Sequence, residues 1–285
     1  MCPASALAKK KHKKPSHGPV VTASALRNTA STPGSISTAT AFCPSGLQAV
    51  GGGYSAPFTT DGRVAVLDSF RSGLTSWTVD GIANAFPGAV TSFVYCRRNN
   101  RTITDLPGTA AVPGTNGANA TASANCPSDT RLIGGGFQTT HGPDPLEFLV
   151  TTTDMSVTPG AWSVTAFNNG NSSPQTLTAH AYCMSGIKAP RVLSSTVSTT
   201  VAPRGSASAT TPACPRAKKT KKKRRRKPAR RLSAGGFSTP PPTSPSNPIP
   251  LFTDSHISGK AWLVTAVDAG GPGGALPVTS QGFCV

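Results

Sequence analysis

The sequence predicts an all-β protein built from three tandem, disulfide-linked, β-sandwich-like repeats, and three observations carry that prediction. A frame recurs along the 285 residues: an opening Cys-Pro, a glycine cluster closed by an aromatic, an Asp, a Trp-x-Val strand and a closing Cys. It runs from Cys43 to Cys96, from Cys126 to Cys183 and from Cys214 to Cys284, and self-similarity at a near-constant period marks a repeat architecture. Composition points the same way. Only 13% of residues are charged and 6% aromatic, with 29 Gly and 27 Pro, and no stretch has the amphipathic period of a helix, so short strands joined by turns are expected. Alternating segments such as WTVDGI, WSVTAF and WLVTAV read as half-buried strands.

In chain order, residues 1–21 form a basic tail, MCPASALAKKKHKKPSHGPVV, too poor in apolar side chains to offset its ordering entropy. Repeat 1 spans 22–100, repeat 2 spans 101–187 and repeat 3 spans 188–285. Each opening Cys is approached by a Ser/Thr/Ala-rich segment with a Pro/Gly turn signal, TASTPGSISTATAFC, AAVPGTNGANATASANC or TTVAPRGSASATTPAC, where Pro and Gly supply the turn angles and Thr suits exposed strands. The glycine clusters in LQAVGGGY and RLIGGGF predict a bulge or a close backbone approach, with the following aromatic covering the gap. A phosphate loop is the weaker reading, since no Lys-Ser/Thr follows and no βαβ unit surrounds the cluster.

The recurring Trp77, Trp162 and Trp262 read as core anchors. Asp68, Asp154 and Asp254 precede them by eight or nine residues and read as turn or strand-end residues, because one carboxylate per repeat falls short of the oxygens that calcium takes.

Seven cysteines give three in-frame pairs, Cys43/Cys96, Cys126/Cys183 and Cys214/Cys284, with Cys2 left over. Six cysteines allow fifteen connectivities; the pairing within each repeat is the one that serves three similar units alike. Disulfides of this kind imply an oxidising, exported environment. Zinc fits poorly, as close Cys-x-x-Cys spacing and a recurrent His are both missing, and no metal or cofactor site is read. Residues 1–21 contain no apolar run of the length a secretory signal needs, and no transmembrane segment is found. The expectation is therefore an extracellular or cell-surface chain that is N-terminally incomplete, against the opposing reading of a cytosolic protein with reduced thiols.

The formal charge of +18 is local. Of 28 Lys and Arg residues, five lie between Lys9 and Lys14 and twelve between Arg216 and Arg231, which leaves 11 against 10 acidic residues. The step from opening Cys to glycine cluster is 8 residues in the first two repeats and 20 in the third, so repeat 3 carries a polybasic insertion, 216–231. Its Lys218, Lys219, Lys221, Lys222, Lys223, Arg224, Arg225, Arg226, Lys227, Arg230 and Arg231 are the candidate polyanion-binding residues. They repel one another, have no carboxylate nearby in sequence, and attract any polyanion by counterion release. The partners expected are an anionic cell-wall polymer, a glycan or a membrane surface, with nucleic acid bound only non-specifically, since neither stacking aromatics nor a helix for groove readout accompanies the run. The opposite reading is a solvated, passive loop.

Catalytic residues are not read. His141, His180 and His256 occupy non-equivalent positions and Glu147 is the sole glutamate, so neither a nucleophile triad nor a carboxylate pair emerges from spacing. The expectation is a non-enzymatic structural or adhesive protein. The alternatives are a lectin-like carbohydrate-binding module, in which Trp77, Trp162 and Trp262 would be exposed, and a nucleic-acid-binding basic protein.

CPSG-LQAVGGGY, the Trp-x-Val strand and the closing Cys resemble tandem repeats of secreted or surface-associated bacterial proteins, especially of high-GC actinobacteria, a resemblance that covers residues 22 to 285 and transfers no site residues. A more distant similarity is to the vitelline membrane outer layer protein family, where Cys-Pro-x-Gly openings, a Gly-Phe strand and a closing Cys recur. It implies a second arrangement, a pseudo-threefold β-prism; the family's fuller acidic motif is absent from this sequence.

Overall fold

The computed structural model describes residues 20–285 except 29–34, 58–63, 84–87, 99–100, 142–147, 156–159, 171–172, 216–230, 241, 243–248 and 269–273. The described residues hold strands and turns only, and no helix is long and apolar enough to cross a membrane. Repeat 1, joined by Val21 from the end of the predicted tail, supplies β1 (Val21–Asn28), β2 (Ile36–Phe42), β3 (Gln48–Ser55), β4 (Val64–Phe70), β5 (Ser76–Ala83) and β6 (Ala89–Arg97). Repeat 2 supplies β7 (Ile103–Val112), β8 (Asn119–Asn125), β9 (Thr130–Thr139), β10 (Phe148–Met155), β11 (Ala161–Asn168) and β12 (Gln175–Ser185). Repeat 3 supplies β13 (Arg191–Val201), β14 (Ser206–Thr210), β15 (Leu232–Ser238), β16 (Pro250–Ser258), β17 (Ala261–Asp268) and β18 (Gly274–Cys284).

These strands form three six-stranded sheets ordered β1-β6-β3-β16-β17-β14, β13-β18-β15-β10-β11-β8 and β2-β5-β4-β9-β12-β7. Every repeat divides in two. Its first, third and sixth strands join one sheet, its second, fourth and fifth another, and each sheet closes on a half from a different repeat. Repeat 1 thus pairs with repeat 2, repeat 2 with repeat 3, and repeat 3 returns to repeat 1. Three self-contained sandwiches are not formed; the arrangement is the closed, pseudo-threefold one. The physical reason lies in the halves: a three-stranded half leaves an unpaired edge, and the neighbouring repeat's half pairs with it.

The seams between halves are short. They consist of Tyr54 and Ser55 against Ser255 and Asp254, of Ser69 against Phe137, and of Thr152 and Thr153 against Ser238 and Phe237. The glycine clusters permit this approach. A Cβ on Gly53, Gly136 or Gly236 would meet the carbonyl oxygen of Ser255, Ser69 or Thr153 at 2.2, 2.6 or 1.9 Å. Just before each cluster the strand bulges, at Val50, Ile133 and Ser233, as a glycine run inside a strand predicts. The middle glycine has a different neighbour from the one expected. Trp77, Trp162 and Trp262 lie on Gly52, Gly135 and Gly235, where a Cβ would come within 2.1–2.2 Å of the indole. The aromatic that follows each cluster turns instead to the centre, where Tyr54, Phe137 and Phe237 meet edge to face with centroids 6.3–6.4 Å apart. All three indoles are buried, at 2%, 1% and 1% exposure.

The disulfides form within repeats, Cys43–Cys96, Cys126–Cys183 and Cys214–Cys284. Each ties the segment that enters the glycine-cluster strand to the end of that strand's neighbour, and crosslinks of such spacing stabilise by about 2–4 kcal/mol.

Candidate functional site

Most of the polybasic segment, Arg216, Lys218, Lys219, Lys221, Lys222, Lys223, Arg224, Arg225, Arg226, Lys227 and Arg230, lies outside the described residues; its last residue, Arg231, and the preceding Cys214 lie within them. Cys214 is held by its disulfide. Arg231 exchanges two backbone hydrogen bonds with Val285, each 3.0 Å. In the sister repeats the same place is a tight turn, closed by Leu47 N donating to Pro44 O at 3.1 Å and by Thr130 N donating to Pro127 O at 3.0 Å. The insertion therefore replaces a turn at the disulfide end of the molecule. Other cations belong to that end: Arg97 opposite Gln48, Arg131 opposite Met184, and Arg191 opposite Cys284. Burial lowers the pKa of Arg97, and the like charge of Arg231 lowers it further.

The buried indoles leave none of the three Trp rings free to stack on a sugar. The void they line with the glycine clusters and the central aromatics is ≈ 20 Å³, the scale of a water site and far below that of a ligand cleft.

Threefold comparison places the remaining polar side chains. Strands β4, β10 and β16 each bulge, and the residues that follow the bulge are Asp68, Thr152 and Asp254. Asp154 is thus not the counterpart of Asp68 and Asp254, as the spacing to Trp implies; it sits two residues on, where Phe70 and His256 stand in the other repeats. Nor are these aspartates turn residues, since Asp68 and Asp254 lie within strands. Next to each seam, three equivalent pairs carry two chemistries, a Phe–His stack at two of them and a hydrogen bond at the third. Phe70 stacks on His180 at 5.8 Å, His256 stacks on Phe93 at 4.8 Å, and Gln281 Nε2 donates to Asp154 Oδ2 at 3.1 Å. His180 is engaged on both ring nitrogens, Nδ1 with Asp105 at 3.0 Å and Nε2 with Gln138 Oε1 at 2.8 Å.

The seam between repeats 1 and 2 holds a cluster that spacing along the chain does not reveal. Asp68 is buried at 2% exposure and its Oδ1 accepts from Thr139 N at 2.7 Å. At the other seams that N–H equivalent donates to a main-chain carbonyl: Ala56 N to Thr253 O at 2.6 Å and Thr239 N to Thr151 O at 3.1 Å. Here the carboxylate takes the carbonyl's place. Asp80 stands directly across the β4/β5 ladder from Asp68, and His141, just past β9, brings Nε2 to 3.1 Å from Asp68 Oδ2. The hydrogen bond to Asp68 raises the pKa of His141. Burial raises Asp80, and the nearby Asp68 adds to the rise. One signal in the sequence does mark the place: the third residue after each Trp is Asp80, Thr165 and Thr265, so repeat 1 alone puts a charge there. The arrival of His141 is visible only in the folded chain.

Fold and site together define an all-β, disulfide-crosslinked, pseudo-threefold protein with a basic end and one polar seam cluster. No protein-family model matches the chain, and no curated protein is significantly similar to it.

Proposed function

We propose that this chain is a non-enzymatic, exported structural or adhesive protein whose polybasic segment tethers it to anionic polymers at a cell surface. The observation that carries the reading is the anchoring of that segment. The chain is held on both sides of it, by the Cys214–Cys284 disulfide and by the Arg231–Val285 backbone pair; the sister repeats, crosslinked in the same way, join the corresponding points by a tight turn, and Arg97, Arg131 and Arg191 extend the positive charge over the same end. A cationic loop on a rigid base binds polyanions through counterion release without a shaped pocket. Three disulfides fit an oxidising, extracellular location. The Trp-lined carbohydrate reading loses its support, since the rings it needs are buried.

The test compares the full chain with a variant carrying Ser at the Lys and Arg positions from Lys218 to Lys227. Binding to immobilised teichoic-type polymer, heparin, anionic vesicles and duplex DNA is measured across a salt series. The expected result is a steep fall of log K with log salt for the wild type on teichoic-type polymer, with the slope largely lost in the variant. Equal binding by both chains overturns the tether, and preference for DNA over the surface polymers favours a nucleic-acid role instead.

A further inference from the structure

We propose that Asp68, Asp80 and His141 form a binding site for one divalent transition-metal ion of the Zn²⁺ class, bridging repeats 1 and 2. One ligand atom from each residue lies within 4.8 Å of the other two, and among the described residues this is the one group of three or more His, Cys, Asp or Glu side chains gathered so closely. Bond lengths of about 2.0–2.2 Å to nitrogen and oxygen put ligand atoms roughly 3–4 Å apart. Small rotations, chiefly of the more exposed His141, close the cluster onto an ion.

Charge and hydrogen bonding favour an ion there. Among the described residues neither carboxylate has a Lys or Arg partner; the ion pair that forms is His141 with Asp68. Two neighbouring carboxylates sharing one imidazole are left short of positive charge, and a divalent ion with neutral imidazole balances them. Asp80 Oδ1 is buried with no hydrogen-bond partner, although buried carboxylate oxygens are normally satisfied. The two aspartates are also oriented from outside the cluster, Asp68 by Thr139 N at 2.7 Å and Asp80 by the Thr38 hydroxyl. Such outer contacts are what fix ligands in metal sites.

Comparison with the sister repeats separates the cluster from the scaffold. At the position of Asp80 they have Thr165 and Thr265, which form hydroxyl pairs with Thr121 at 2.8 Å and Ser208 at 3.0 Å. The fold therefore does not need a carboxylate there. The one repeat that has it is also the one that receives a histidine from its neighbour. Two carboxylates with one imidazole suit Zn²⁺ and its neighbours in the first transition row better than Ca²⁺, which takes six to eight oxygens. Three protein ligands leave further positions for water or an anionic group.

The experiment is titration of the full, metal-stripped chain with Zn²⁺ by calorimetry and with Co²⁺ by visible absorption, alongside Asp80→Thr, His141→Ala and His17→Ala. Asp80→Thr installs the residue that the sister repeats carry, so its fold and its melting temperature in chelator should match the wild type. The expected result is one equivalent of metal bound by the wild type and by His17→Ala, with affinity at least about 10-fold weaker in Asp80→Thr and His141→Ala. Zn²⁺ should raise the melting temperature of the wild type but not of Asp80→Thr. Absence of binding at millimolar Zn²⁺, or binding unchanged by both ligand variants, overturns the proposal.

Discussion

The β4/β9 seam and the β10/β15 seam occupy equivalent places in the molecule and are closed by different chemistry. At the first, Arg71 N donates to the Tyr182 hydroxyl at 2.7 Å, Trp77 Nε1 donates to Ser69 Oγ at 3.0 Å, and Asp68 accepts from Thr139 N. At the second, Phe283 stands in place of Tyr182 and packs on Trp162 at 5.5 Å. There Trp162 Nε1 and Thr153 Oγ1 have no hydrogen-bond partner among the described residues. The third seam follows the first in two respects, with Ile257 N donating to the Tyr95 hydroxyl and Trp262 Nε1 donating to Ser255 Oγ. The difference separates scaffold from ornament. What all three seams share, the glycine cluster, the indole lying on it and the central aromatic, makes the fold. The polar locks are additions that one seam does largely without.

The largest effect should come from changing what the seams share. Gly135→Ala drives a Cβ to 2.2 Å from the Trp162 indole, and overpacking of that order should cost at least about 3 kcal/mol in denaturant unfolding. Gly52→Ala at the Trp77 contact should cost about as much, and a clear inequality between them would break the equivalence of the seams. Replacing Cys126 and Cys183 together by Ala should lower stability by about 2–4 kcal/mol with the strand content by circular dichroism retained.

A sharper contrast comes from the lock itself. Tyr182→Phe recreates at the first seam what Phe283 already is at the second, leaving Arg71 N unpaired, and should cost about 1–2 kcal/mol. If it costs nothing, the tyrosine hydroxyl is not a lock.

The smallest effect concerns pH. Burial lifts the Asp154 carboxyl to about 6, against the pull of the Gln281 hydrogen bond, while the unfolded chain titrates near about 3.9. The folded state holds that proton more tightly, so this group's penalty is complete above about pH 6 and disappears as the pH falls toward about 4. Asp154→Asn should raise stability at pH 7 by about 1–2 kcal/mol, allowing for partial solvent exposure. It should leave stability at pH 3.5 nearly unchanged in matched urea melts. At the seams closed by Phe70 and Phe93 no equivalent carboxylate exists to give such a slope.

Much of the scaffold was legible in advance because its signals are local. Cys43, Cys126 and Cys214 fall at near-equal spacing with their closing partners, alternation marks β5, β11 and β17, and glycine runs announce the bulges at Val50, Ile133 and Ser233. Legibility failed where a residue's role depends on strand register or on another repeat. Spacing to the Trp aligned Asp154 with Asp68 and Asp254, yet the hairpin between β10 and β11 is of a different length, and pairing register makes Thr152 the true counterpart. Asp80 broke the Thr pattern in plain view, but nothing near it in sequence pointed to His141.

By itself, then, the sequence determined the strand content and the recurring frame, and it favoured the in-frame cysteine pairs and buried indoles over the alternatives, because periodicity, spacing and side-chain size are properties of a segment and its near neighbours. Only the tertiary structure decided that each repeat would be shared between two sheets, that Tyr54, Phe137 and Phe237 would meet at one centre, and that Asp68, Asp80 and His141 would converge. Those outcomes depend on which unpaired edge meets which, and with three similar halves available to pair, that choice belongs to the assembled molecule.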